Sequence, residues 1–137
     1  GALGRVQVAK LQKSNKLREE LTGYYRLRIS TLDGIKVPFA NTQNTVSSYH
    51  ILPVLLPKEI DRLNLINTLK EAGIQSSIHY PSFHQFSAFK SLNLTQTPIA
   101  DEISERELTL PLYPDLSFEG VDLVVNTIHS TLKTSSC

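Results

Sequence analysis

The sequence holds one cysteine, Cys137, at its last position. No disulfide can form within the chain, no cysteine pair is available for zinc, and a reducing cytoplasm is the expected setting. The longest apolar runs, around residues 51–56 and 121–125, fall far short of the roughly 20 residues that cross a bilayer, so no membrane span is expected. The polar, basic first turns do not read as a signal peptide. Glycine-rich phosphate loops of the GxGxxG and GxxxxGK[ST] kinds are missing, which excludes the usual nucleotide cradles, and so is a nucleophile elbow. Methionine is absent even at residue 1, which leads us to expect a chain processed, tagged or cut from something longer. Hydrophobic residues make up 40% and Lys+Arg 14 balance Asp+Glu 13; whole-chain disorder is excluded on both counts.

What is present is 137 residues, the length of one domain with a real core. Charge is uneven along it. Residues 1–31 carry seven Lys/Arg and two Glu, net +5, whereas 32–137 carry seven Lys/Arg and eleven Asp/Glu, net −4. Such asymmetry points to an anionic partner, to halves that face each other, or to a basic part that faced another domain. Good helix formers without proline run from Ala2 to about Ile29. Within them Leu3, Val6, Leu17, Leu21, Tyr24 and Leu27 recur at three- and four-residue intervals, which predicts one long helix with an apolar stripe and a basic outer face. Asp33-Gly34 ends it in a turn.

Residues 40–46 read as a loop and Ser48–Leu56 as a strand, in which Pro53 demands an edge position or a bulge. Pro57 closes the strand and opens a helix to about Ala72, with Ile60, Leu63, Ile66 and Leu69 as its buried stripe, Leu65 flanking, and Gly73 as its stop. Ile74–Tyr80 alternates as a second strand. Phe83, Phe86 and Phe89 predict a short helical turn laid against the core. Pro98 starts a further helix whose wet acidic face is Asp101, Glu102, Glu105 and Glu107. Leu108–Leu110 is a third short strand. Ser117 caps a last helix with Val121, Val124, Val125, Ile128 and Leu132 on its apolar face.

Chemistry-bearing residues are few. His50, in a strand, and His129, on the last helix, read as partly buried or surface side chains. His79 and Tyr80 end a strand, where ligands are commonly met, and His84 follows. No carboxylate lies between the two histidines, so no metal site is expected, and the plain alternative is a packed loop with structural aromatics. Asn93-Leu94-Thr95 matches a glycosylation sequence, read as chance in a chain without an export signal. The basic helix lacks interleaved aromatics and a docking motif, so a solvated or domain-facing surface is expected there rather than nucleic-acid binding. The residues alone thus describe a soluble α/β domain with one ligand-facing strand end at His79-Tyr80.

Four segments resemble, in order, the C-terminal region of the DegT/DnrJ/StrS family of pyridoxal-phosphate-dependent sugar aminotransferases. Ala2–Leu11 (ALGRVQVAKL) is similar to the family's long helix, and Arg18–Tyr25 (REELTGYY) to its continuation. Gly73–Pro81 (GIQSSIHYP), followed by His84 and Phe89, is the most specific segment. Glu105–Pro114 (ERELTLPLYP), followed by a valine-rich helix, is nearly as good.

The resemblance implies a small, mainly antiparallel three-stranded sheet with helices on one face, an α+β sandwich like the small domain of fold-type I aminotransferases. Residues 1–32 would be the long helix leading to a large domain, and 33–137 the small C-terminal domain. The full-length enzyme would move an amino group from an amino acid, glutamate foremost, to a nucleotide-linked keto sugar. The family's cofactor lysine lies upstream of this region, and none of the eight lysines here sits in anything like its motif. The resemblance therefore implies no catalytic or cofactor-binding residue in this chain, no pyridoxal phosphate bound to it, and no activity by itself. His79, Tyr80 and His84 would bind substrate, and the full-length protein would be a homo-oligomer. A stand-alone oligomerisation or ligand-binding module derived from the family is the alternative.

Overall fold

A computed structural model describes residues 1–39, 45–89, 92 and 97–134. Most of the expected loop at 40–46, the glycosylation match at 93–95 and Cys137 lie outside them. In chain order the elements are α1 (Ala2–Ile29), β1 (Leu52–Leu55), α2 (Arg62–Glu71), two short 3-10 turns (Phe83–Gln85 and Ser87–Phe89), α3 (Pro98–Arg106), β2 (Glu107–Leu110) and α4 (Phe118–Thr134).

The last helix follows its sequence pattern. Val121, Val124, Val125 and Ile128 are buried, Leu132 packs beside them, and Ser117 Oγ accepts the Gly120 N–H at 3.1 Å. α4 packs against both α1 and α2. In α1 only the second half joins the core, through Leu21, Tyr25 and Ile29. The expected stripe is corrected at Leu3, Val6 and Leu27, all exposed. Length explains the first two: α1 has 28 residues and α4 has 17, about 42 Å against 26 Å, so the start of α1 runs past its partner.

α2 begins at Arg62, five residues after Pro57, because residues 57–60 form a turn (Ile60 N–H to Pro57 O, 3.3 Å). Asp61 caps it, accepting from the N–H groups of Leu63 at 2.9 Å and Asn64 at 3.2 Å. The buried face is Leu65 and Leu69 with Ile66 beside them, and Leu63, expected in the stripe, is 65% exposed. Gly73 (φ 76°) ends α2 as expected. Its N–H bonds Lys70 O at 3.0 Å and that of Ile74 bonds Leu69 O at 2.8 Å, a pairing that needs a left-handed residue at Gly73.

Among the described residues the three-stranded sheet expected from the sequence is corrected to two strands. β1 and β2 pair antiparallel, with Leu52 opposite Leu110 and Leu55 opposite Glu107. Single bridges flank them, Lys36 with Leu55 on one side and Ser77 with Thr109 on the other. The predicted strand at 74–80 therefore contributes one paired residue. Continuing that register would pair His79 with Glu107, but Glu107 O instead accepts from Arg62 Nη1 at 3.0 Å, and the His79 N–H goes to the Glu107 side chain at 2.9 Å. A side-chain acceptor has replaced the next rung. β1 is shorter than Ser48–Leu56 because Tyr49 is left-handed (φ 48°) and its hydroxyl donates to Glu19 on α1 at 3.1 Å. Pro53 points to the same side as Leu55, toward the Lys36 edge and away from β2, so the β1–β2 ladder loses no bond.

Two further expectations change. Phe83, Phe86 and Phe89 are exposed rather than laid against the core. Phe83 and Phe89 lie on two separate 3-10 turns with Phe86 extended between them (ψ 133°), and the Phe83 and Phe89 rings meet edge-on at 5.9 Å. Glu107 leaves the acidic face, since it belongs to β2 and is buried. On α3, Glu102 takes Arg106 at 2.6 Å and Lys58 at 3.1 Å; these cations, Lys58 first, hold its carboxyl below the usual 4.5.

Tyr25 is fully buried and its hydroxyl has no hydrogen-bond partner among the described residues. Burial, aided by Tyr113, pushes the phenol well above its ordinary 10.0. The folded state thus favours the protonated phenol, and its contribution to stability is complete below pH 10 and lost as pH rises beyond. Tyr25→Phe is expected to be neutral or to stabilise by about 1 kcal/mol near pH 7, since it removes an unpaired buried hydroxyl. It should also unfold less readily than the parent above pH 10. Urea midpoints at pH 7 and 11 check both.

Candidate functional site

In β2 the side chains alternate. Leu108 and Leu110 enter the core with Leu52 and Val54, so Glu107 and Thr109 must face the other way. Both are nonetheless 5% exposed, and the segment through Ser77 and His79 bonds to both. Glu107 accepts twice, from the His79 backbone N–H at 2.9 Å and from the Thr109 hydroxyl. His79 Nδ1 stands 2.9 Å from Thr109 Oγ1 and 3.4 Å from Ser77 Oγ. A buried carboxylate and hydroxyl thereby hold an exposed imidazole by one edge.

The three residues singled out from the sequence are not equally placed. His79 and Tyr80, joined by a cis peptide, are exposed, and their rings meet edge-on at 5.6 Å. Tyr80 is 76% exposed. His84 is half-buried, with Nε2 at 2.6 Å from Thr97 Oγ1 and its ring 4.2 Å from Phe83. These contacts tie it to Thr97 and to the turn that follows the His79–Tyr80 pair. His50 and His129 are exposed elsewhere.

Glu107 and Thr109 were missed as site residues. Their signal was the alternation Glu-Leu-Thr-Leu, which puts two polar side chains on one face of a strand that neighbours His79. Arg62 was missed as well; it donates to Ser104 O at 2.6 Å and to Glu107 O, fixing the entry to β2.

The chemistry these groups offer is recognition. An imidazole and a phenol each present a hydrogen-bonding atom and a flat apolar face. Among the described residues no group of three or more His, Cys, Asp or Glu is placed to hold a metal ion. Pyridoxal phosphate needs a sheltered amine, yet all seven described lysines are exposed, and Lys58 is paired with Glu102. The described residues do not by themselves fit that cofactor.

Comparison with known proteins gives consistent matches. The model of the DegT/DnrJ/EryC1/StrS aminotransferase family matches residues 1–129. The dTDP-4-dehydro-2,3,6-trideoxy-D-glucose 4-aminotransferase of Saccharopolyspora spinosa is 30% identical over 132 residues, covering 96% of this chain and 34% of that protein. The UDP-4-amino-4,6-dideoxy-N-acetyl-beta-L-altrosamine transaminase of Campylobacter jejuni is 29% identical over 139 residues, covering 96% and 36%. A putative sugar aminotransferase from Streptococcus pneumoniae, solved in its apo-form, superposes with a TM-score of 0.88 at 28% identity, over 98% of this chain and 34% of that one. Its PMP-form gives 0.87 at 27% identity, over 97% and 34%. The chain spans about a third of the length of the relatives it matches.

Proposed function

Because the chain belongs to the DegT/DnrJ/EryC1/StrS aminotransferase family, we propose that it acts as the small C-terminal domain of a pyridoxal-phosphate-dependent enzyme. That enzyme transfers an amino group from an amino acid, glutamate in our reading, to a nucleotide-linked keto sugar. Residues 1–32 connect to a large domain, and 33–137 form the small one. The observation that carries this reading is the match along residues 1–129, supported by the 0.88 superposition.

The division of labour follows from the side chains present. The amine that bonds the cofactor comes from outside these 137 residues, so the chain alone is inactive. This domain closes the sugar side of the cleft. His79 offers a hydrogen bond to the sugar, Tyr80 covers it with a flat ring, and His84 holds the turn beside them on Thr97. The exposed Leu3, Val6, Val8 and Leu11 of α1 suit a surface that meets the large domain. The full-length protein is a homo-oligomer of the cytoplasm in this reading, and no described helix is long and apolar enough to cross a membrane.

The test is a graft. These residues replace the matching third of the Saccharopolyspora spinosa aminotransferase, and 2-oxoglutarate released from glutamate in the presence of a dTDP-linked keto sugar is measured. Release is expected, falling about tenfold in kcat/KM with His79→Ala as one substrate hydrogen bond is lost. A graft that holds its cofactor by absorbance and still releases no 2-oxoglutarate overturns the proposal. So does turnover of the keto sugar by the 137 residues alone.

A further inference from the structure

We propose that Glu107 and Thr109 lock the His79 ring with its proton on Nδ1, so that Nε2 faces the ligand as a pure acceptor and selects a hydrogen-bond donor, a sugar hydroxyl. The identity of the ligand as a sugar rests on the function proposed above; the proton's position does not.

Proton counting carries the argument. A threonine hydroxyl has one proton to give. Here it goes to Glu107 Oε1, while the carboxylate's other oxygen accepts the His79 backbone N–H at 2.9 Å. The Thr109 oxygen therefore meets His79 Nδ1, 2.9 Å away, only as an acceptor. Nδ1 must carry hydrogen to make that bond. Ser77 Oγ, at 3.4 Å from the same nitrogen, accommodates the same polarity. A neutral imidazole bears a single N–H, so Nε2 is left with its lone pair. No described residue bonds Nε2, and the residue is exposed.

The lock is built to last. Glu107 and Thr109 are each 5% exposed, where water competes poorly for their bonds. Both sit on a strand whose register is set by pairing to β1 and by Leu108 and Leu110 in the core. Glu107 and Thr109 are positioning residues that act through His79. A lone pair at Nε2 welcomes a hydroxyl and is repelled by a keto or phosphate oxygen. The site would thus orient a keto sugar by one of its hydroxyls and discriminate against an analogue lacking it.

Long-range ¹H–¹⁵N correlation spectra of the full 137-residue chain at pH about 8, where imidazoles are neutral, read the proton directly. His79 is assigned by its loss in His79→Gln. The Nδ1–H pattern is expected in the parent, retained in Thr109→Ser and lost in Thr109→Val with the remaining amide spectrum unchanged. An Nε2–H pattern in the parent overturns the lock, whatever the variants do. In the graft, Thr109→Val should raise KM for the keto sugar about tenfold with Thr109→Ser near the parent; equal KM for all three overturns the selection of a hydroxyl. An inactive graft alongside an Nδ1–H signal sinks the sugar reading and supports the lock.

Discussion

Leu65→Ala is expected to destabilise the domain by about 3 kcal/mol, the usual loss for emptying a fully buried leucine site, whereas Leu63→Ala should change stability by less than about 0.5 kcal/mol. The two residues sit two apart on α2, and periodicity in the sequence favours Leu63 for the core. In the fold Leu65 is 0% exposed and Leu63 is 65% exposed. Leu65 lies in one cluster with Leu69, Val121, Val125 and Ile128, on the side of α2 that packs against α4. Truncation there removes contacts from several neighbours at once and leaves a cavity that a core tied to β1 and β2 closes only in part. At about 2.1 cal/mol/K per residue, 3 kcal/mol corresponds to a drop of roughly 10 °C in Tm. Thermal unfolding of both variants by circular dichroism decides the matter; equal melting temperatures would mean that α2 is rotated from the orientation described.

Glu107→Leu is expected to cost about 1–3 kcal/mol, concentrated in the 77–80 segment rather than spread over the domain. Two opposing effects meet at this position. Removing a buried carboxylate relieves its desolvation, but it also strips the acceptor from the His79 N–H and the Thr109 hydroxyl. The second effect wins because Glu107 replaces a missing rung of the sheet. Without it, nothing described holds His79 to β2 through the backbone. Amide exchange at His79 should accelerate about 10- to 100-fold, the local equivalent of that free energy, with exchange at Val125 and Ile128 little altered. Glu107→Gln, which keeps one acceptor, should fall between. Unchanged exchange at His79 in Glu107→Leu would show that the carboxylate does not hold this segment.

Much of the chain was legible because its signals are local. The bounds of α1, the stop at Gly73, the cap at Ser117 and the buried face of α4 each depend on residues within a turn or two of one another. The missing N–H of Pro53 alone called for an edge position or a bulge, and the residue faces the Lys36 edge. The His79-Tyr80 end stood out for its residue types, and both side chains are exposed. Errors fell where a distant element decides. Leu3 and Val6 have the spacing of core residues but extend beyond α4. Phe83, Phe86 and Phe89 have the spacing of a helical face, but all three are exposed. Glu107 follows the acidic residues of α3 in sequence, and only its pairing with Leu55 shows that it belongs to the sheet.

By itself the sequence determined the bounds of α1, the stop of α2 and the cap of α4, which residues are available for burial, and, through four ordered segments, the family. Tertiary structure alone decided which of those apolar residues are covered, and that a glutamate and a threonine on the back of β2 hold the candidate ligand-facing histidine. The reason is physical. Helix and turn signals are short-range interactions written in adjacent residues, whereas burial depends on what the chain brings to a surface from far away, and no local pattern encodes that.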